Sequence, residues 1–294
     1  MADGLETPAV ALTIAGSDSG GGAGIQADLV TFAALGVHGA SAVTALTAQN
    51  TVGVNGVHVP PVEFLRAQLD AVLADLPVAA VKTGMLASEE VVLAVAEYAA
   101  AGRLPNLVVD PVLVSSTGAR LLDPGAEAAY REALFPHALV VTPNTREAQA
   151  MAGSAVVSLD DARKAAGKLA EWGPRWVVVK GGHLQANDPS RETISPTAAR
   201  TAGAEVMSCD VVVESATGDV EELCLPRVDT RNDHGTGCSF GAATAAGLAR
   251  GLPVPEALRA AKRFVHEGLE RSARWALGAG HGPVGKLGAW SLHS

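Results

Sequence analysis

The sequence predicts an α/β domain: an open, doubly wound, mostly parallel central sheet flanked by helices, three layers in α-β-α order. Three observations carry this. Short apolar runs alternate with stretches of helical period along the chain. The runs are apolar at successive positions, as in strands covered on both faces. Polar residues suited to chemistry then fall where the runs end, which is where open α/β sheets bind ligands.

Val10–Ala15 reads as the first strand, followed by a glycine loop and an amphipathic helix over Ile25–Leu35. Ala42–Thr47 is the second strand. Pro61–Leu76 is helical, with Phe64, Leu65, Leu69, Val72 and Leu73 on one face and Pro61 suited to a first turn. Val78–Thr83 is a strand. Ser88–Ala101 is a helix opened by a serine cap, with Glu89 and Glu90 near the positive end of its dipole. Leu107–Val114, Leu139–Thr142 and Trp176–Lys180 are further strands, and helices follow around Ala126–Leu134, Arg146–Ala152 and Leu159–Trp172. Val211–Glu214 and Val220–Leu225 flank Gly218-Asp219 as an antiparallel hairpin. Gly241–Leu248 is a helix of small residues. Gln185–Ala204 is polar, holds Pro189 and Pro196 and lacks periodicity, so it reads as a mobile surface loop. The expectation is one domain over 1–294, with flexible ends at 1–8 and 285–294.

Composition narrows the function. A net charge of −9 with no basic run disfavours nucleic-acid binding, which needs clustered Lys and Arg. The start has neither a basic nor an apolar signal region, and no apolar run is long enough to span a bilayer. Cys209, Cys224 and Cys238 form an odd, scattered set with no C-x-x-C pair. That argues for a reducing compartment and against structural zinc, with the cytoplasm as default.

The most informative segment runs from Asp229 to Phe240. Gly235 and Gly237 strip away side chains where backbone has to approach an anion, and the first turn of the helix that follows offers unpaired N–H groups. Thr236 lies between them. Cys238 sits in that first turn, where a thiolate is favoured. An anion cradle beside a candidate base suggests phosphoryl transfer; a glycine-rich turn before a packed helix is the plainer reading. The earlier segment, Gly16–Asp28, contains a loose dinucleotide pattern at Gly22–Ala27. The place of the ribose acid, however, holds Thr47-Ala48-Gln49-Asn50, which argues against a nicotinamide cofactor.

Asp28, one turn into the first helix, is either a ligand contact or a solvated carboxylate. The Gln49 amide offers a donor and an acceptor to the edge of an aminopyrimidine ring, or is a surface loop amide. Asp110 ends an apolar strand, where a carboxylate is costly unless paired or metal-bound. Asn144 and Glu147 fit a helix cap and its capping-box acid, and Asp110 with Glu147 can also serve Mg²⁺. Lys180, before Gly181-Gly182, either reaches nucleotide phosphates or snorkels from a strand edge. No G-x-x-x-x-G-K-[ST] occurs, which excludes a P-loop NTPase. His183, His234 and His281 lack metal-ligand spacing and read as structural.

Together these segments resemble the ribokinase-like superfamily, and within it the hydroxymethylpyrimidine/phosphomethylpyrimidine kinases of thiamin biosynthesis. The matching stretches are Ala15–Asp18 with Gly21–Asp28, Thr44–Thr51, Lys82–Leu86, Val109–Val112, Thr142–Asn144 with Glu147-Ala148, Val179–Leu184, His234–Cys238 and Gly280–Val284, in order along nearly the whole chain. The resemblance implies a cytoplasmic homodimer that uses ATP and Mg²⁺, with a monovalent cation also possible. It implies phosphorylation of 4-amino-5-hydroxymethyl-2-methylpyrimidine and then of its monophosphate. By the same resemblance Gly16, Asp28, Gln49, Met85 and Val112 line the pyrimidine pocket. Gly235, Thr236, Gly237 and Cys238 form the anion hole, with Cys238 where most of the superfamily has an aspartate base. Asn144, Glu147 and Asp110 organise Mg²⁺, and Lys180 contacts ATP phosphates. Two features depart from the pattern: the 185–204 loop is long, and Ser115-Ser116-Thr117-Gly118 lacks a lysine that some relatives carry. A pyridoxal kinase of the same superfamily is the nearest rival reading; a non-catalytic binding protein is the more distant one.

Overall fold

The strand β1 (Val10–Asp18) is buried at all but one of its positions, because its neighbours and two helical layers enclose it. It anchors a computed structural model that describes residues 7–113, 126–182, 184 and 206–286. The flanking strands are β2 (His38–Gln49) and β4 (Val78–Thr83), both parallel to β1. Beyond β4 come β5 (Leu107–Val109), β6 (Val140–Val141) and β7 (Trp176–Val179), each parallel to the last. The edges turn antiparallel: β3 (Val54–His58) pairs with β2, while β8 (Met207–Glu214) and β9 (Val220–Pro226) follow β7. Among the described residues the order is β3-β2-β1-β4-β5-β6-β7-β8-β9.

Side chains alternate between two apolar layers. Leu12 and Ile14 of β1 face α2 (Val62–Asp75) and α3 (Glu89–Ala100), while Ala11 faces the opposite layer. That opposite layer holds α1 (Gly24–Ala34), α7 (Thr236–Ala249) and α8 (Val254–Ser272). Val177 and Val179 of β7 meet α5 (Thr145–Ala152) and α6 (Leu159–Ala170), and Val178 meets the α7–α8 side. The short α4 (Ala126–Ala129) continues through a π turn, Tyr130–Leu134, and a 3₁₀ turn, Phe135–His137. This is the doubly wound, three-layer arrangement the sequence predicts.

Several expectations need correction. The edge strand β3 was not foreseen, because it is exposed at nearly every position and has no apolar period. The helix α8 was not foreseen either: its buried face includes the small residues Ala257, Ala261, Gly268 and Ser272. Within the described residues β5 ends at Val109 rather than at the expected Val114, which lies outside them. The cysteines are not scattered. Cys209 and Cys224 sit opposite each other in the β8–β9 ladder and form a disulfide, leaving Cys238 as the free thiol. The 185–204 loop, His183 and Ser115–Gly118 lie outside the described residues. At the expected flexible end, Gly285 donates to the Gly268 carbonyl and Lys286 is buried.

Candidate active site

The parallel strands deliver their last residues to one edge of the sheet, and a cavity of about 630 Å³ opens there. Gly16, Gln49, Met85 and Val112 line it, from the ends of β1 and β2 and the turns after β4 and β5. The end of the Met85 side chain lies against Gly16, so a larger residue at 16 would displace the Met85 tip. Asp110, Asn144, Glu147 and Lys180 come from the next three strand ends. Gly235, Thr236, Gly237 and Cys238 close the wall from the loop and first turn of α7. A further part is lined by Leu225 and Val228 after β8–β9 and by Val265 and Leu269 of α8.

The start of α7 has the form of an anion cradle. Its N-cap, Gly235, has φ 82° and no side-chain cap. A side chain there would strike the Gly22 carbonyl, so glycine is required for both space and conformation. The Thr236 N–H is taken by the Asp233 carbonyl at 3.2 Å. The N–H groups of Gly237 and Cys238 have no protein acceptor among the described residues, and first-turn N–H groups point outward from the helix N-terminus. A Cβ at Gly237 would stand 3.1 Å from Lys180 Nζ, so that ammonium lies across the same turn.

Two ion pairs flank the cradle. Lys180 donates to Asp110 Oδ1 at 2.6 Å, and the Thr142 hydroxyl donates to the same oxygen. Behind it, fully buried, Lys82 meets Asp28 at 2.8 Å, and the Thr13 hydroxyl donates to that carboxylate. Burial alone would pull the Lys82 ammonium down; the adjacent Asp28 charge overrides it and holds Lys82 charged. Glu147 closes a capping box with Asn144: each side chain accepts the other's backbone N–H. Burial pushes the Glu147 carboxyl up to about 7, opposed by Lys180 and reinforced by Asp110.

The cavity thus brings unpaired amides, a fixed ammonium and two carboxylates together with apolar wall. The sequence profile of the phosphomethylpyrimidine kinase family matches residues 18–285. The chain belongs to that family. It is 46% identical over 285 residues to a hydroxymethylpyrimidine/phosphomethylpyrimidine kinase of Rhizobium meliloti, covering 96% of this chain and 98% of the relative. It is 45% identical to a thiamine biosynthesis bifunctional protein of Geobacter sulfurreducens, where 94% of this chain spans 52% of the longer protein. Among solved structures, the pyridoxal kinase of Staphylococcus aureus in complex with AMP-PCP and pyridoxal aligns with TM-score 0.79 and 33% identity, over 95% of this chain and 94% of that one. The chain is therefore a phosphotransferase of ribokinase-like fold.

For this kinase the structure gathers every residue the sequence proposed, with one displaced. Asp28 is not on the cavity wall: it is neither a solvated carboxylate nor an exposed ring contact, but lies fully buried behind Lys82. Nor does the Cys238 environment favour a thiolate. The side chain is half-buried at the wall, and burial pushes the thiol up, against the lowering pull of Lys82. The helix-end effect is outweighed because burial disfavours the charged form and Asp28 and Asp110 repel it.

Sequence reasoning missed five participants. Asp18 is buried and accepts the N–H groups of Gly20, Gly22 and Ala23, which shapes the first glycine loop. His234, read as structural, lines the cavity with Nε2 2.9 Å from Asp18 and 3.4 Å from Gln49 Nε2. It joins the first loop to the anion loop. Lys82 and Lys286 are buried lysines near Cys238, and nothing in local spacing marked them. His281 also reaches the cavity rim, paired with Asp233 at 2.8 Å.

Proposed function

We propose that this enzyme transfers the γ-phosphate of ATP to the primary alcohol of 4-amino-5-hydroxymethyl-2-methylpyrimidine, and then to the resulting monophosphate, yielding the diphosphate. The supporting observation is the pair of amides at Gly237 and Cys238, unpaired among the described residues and lining the cavity, with the Lys180 ammonium beside Gly237. Oriented amides and a fixed ammonium stabilise the charge that develops on a migrating phosphoryl group without reorganising. The amide of Gln49 and the flat wall of Gly16, Met85 and Val112 suit an aminopyrimidine ring. The apolar surface of Val228, Val265 and Leu269 suits a nucleobase.

The donor set fits Mg²⁺. Asp110 and Glu147 are two hard carboxylates at neighbouring strand ends, too few for a protein-only cage and enough for an ion completed by water and phosphate oxygens. Such an ion would neutralise phosphate charge during transfer. Lys180 then orients the γ-phosphate, and Asn144 fixes the end of α5 that carries Glu147. Cys238 faces the acceptor. In the alcohol step its thiolate form, scarce because burial disfavours it, takes the hydroxyl proton and becomes the thiol; in the monophosphate step the nucleophile is already anionic.

No helix among the described residues is long and apolar enough to cross a membrane. A cytoplasmic location and a homodimer belong to the same proposal, and light scattering checks the latter. The cysteines do not support the location, because two of them are bonded. Pyridoxal phosphorylation is the second reading, favoured by the Staphylococcus aureus enzyme. Steady-state turnover of the aminopyrimidine alcohol, its monophosphate and pyridoxal, each with ATP and Mg²⁺, separates them. A higher kcat/KM for pyridoxal than for either pyrimidine overturns the assignment.

A further inference from the structure

Lys286 lies behind the anion loop, and no acid among the described residues bonds to it. It is 7% exposed. Its Nζ donates to the Gly22 carbonyl at 2.9 Å and lies 3.4 Å from that of Val284. The Gly22 carbonyl in turn abuts the α-carbon of Gly235, the N-cap of α7. The lysine thus supports the contact between the two loops that build the site.

The surrounding charges can be followed one by one. Lys82 is neutralised by Asp28, and Lys180 by Asp110. Asp18 is held by His234 and by three backbone amides. Asp18, Asp28 and the Cys238 thiol act on Lys286 through space, and none of them bonds to it. Of the three lysines near Cys238, then, one is served by carbonyls alone among the described residues, and burial pulls its ammonium down. A buried ammonium without a counter-charge is costly, and folds keep one where a ligand supplies the missing charge. The amides of Gly237 and Cys238 beside it are arranged for an anion.

We propose that Lys286 is a positioning residue for anionic acceptors. Its charge acts through the Gly22–Gly235 contact and the field at Cys238, and it favours a phosphate-bearing acceptor over a neutral alcohol. This rests on the two-acceptor reading above. The test compares Lys286→Gln, Lys286→Met and Lys286→Arg, each on the alcohol and on the monophosphate with saturating ATP. Gln keeps a donor for the Gly22 carbonyl and loses the charge; Arg keeps the charge.

The expected result is a loss of about tenfold in kcat/KM on the monophosphate for Gln and Met, about 1.4 kcal/mol, with a much smaller loss on the alcohol and recovery with Arg. Wild-type behaviour of Lys286→Gln on both acceptors overturns the proposal, since the bond rather than the charge then matters. Equal losses on the two acceptors also overturn it. Affinity for inorganic phosphate, measured by calorimetry on wild type and Lys286→Gln, provides an arm independent of the substrate. If the wild type phosphorylates neither pyrimidine, the two-acceptor reading fails, and weaker phosphate binding by Lys286→Gln still supports the charge role. Unchanged phosphate affinity removes it.

Discussion

Lys180 and Asp110 meet at 2.6 Å across two strand ends separated by β6, and the same ammonium covers the first turn of α7 at Gly237. One side chain thus connects the carboxylate suited to metal with the amides suited to phosphate. Lys180→Met should lower kcat/KM for ATP by roughly 10²- to 10³-fold, the scale for removing a preorganised charge-stabilising donor. It also leaves Asp110 buried without its partner, at a cost of about 3–5 kcal/mol in stability. The double variant Lys180→Met/Asp110→Asn separates the effects. Thermal melting should recover much of the loss while turnover stays low. Recovered turnover in the double variant would show that Lys180 serves the fold alone.

The position of Cys238 makes a split between the two phosphorylations measurable. Burial keeps its thiol above the ordinary range, so little of it is thiolate at neutral pH, and the alcohol step depends on that small fraction. Cys238→Ala should reduce turnover of the alcohol by about a hundredfold, the scale of general-base catalysis. Turnover of the monophosphate, whose nucleophile is already ionised, should fall much less. Parallel loss in both steps, measured with each acceptor supplied separately, would assign Cys238 to positioning rather than to proton transfer.

Glu147 sets a pH dependence of stability. Its folded carboxyl lies near 7, against an unfolded value of 4.5. Between those values the folded protein holds a proton that the unfolded chain has released, so stability declines as pH rises from about 4.5 to about 7 and is level above that. Glu147→Gln removes this titration and should flatten that part of the profile. Melting temperatures of both proteins without Mg²⁺, taken from pH 5 to pH 8, check it. A wild-type profile that rises across this interval while the variant's stays parallel to it would contradict the assignment.

The sequence made the central strands legible because burial on both faces leaves little ambiguity: Val10–Ala15 and Val78–Thr83 fall within observed strands. It made the site legible because its residues sit where strands stop. What it hid depends on long-range pairing. Lys82 joins Asp28 across 54 positions, His234 joins Asp18 across 216, and Lys286 joins Gly22 across 264. No local pattern reports such pairs, so Asp28 was read as a pocket contact and His234 as scaffold. The exposed β3 failed for a different reason: its hydrophobic contrast is too low to set a period, whereas α8 does carry an amphipathic period that the sequence reading passed over.

The hairpin disulfide gives the last prediction. Cys209 and Cys224 are separated by 15 positions in sequence and paired across β8 and β9. Closing a loop of that length stabilises by about 3 kcal/mol in the chain-entropy account. The bond lies next to Asp210, which accepts the Gly181 N–H at 2.9 Å and pairs with Lys262 at 2.9 Å. The hairpin therefore supports the strand end that carries Lys180, beside the apolar part of the cavity. Thiol titration of the denatured, unreduced protein should find one free thiol among the three cysteines of the chain, and three would refute the bond. Cys209→Ser/Cys224→Ser should lower the unfolding free energy by about 3 kcal/mol. The KM for ATP should rise in the same variant while that for the aminopyrimidine is unchanged, because Gln49 at the end of β2 and Met85 just after β4 lie several strands away from the hairpin. An equal rise in both would place the hairpin's influence on the whole sheet rather than on the nucleotide side.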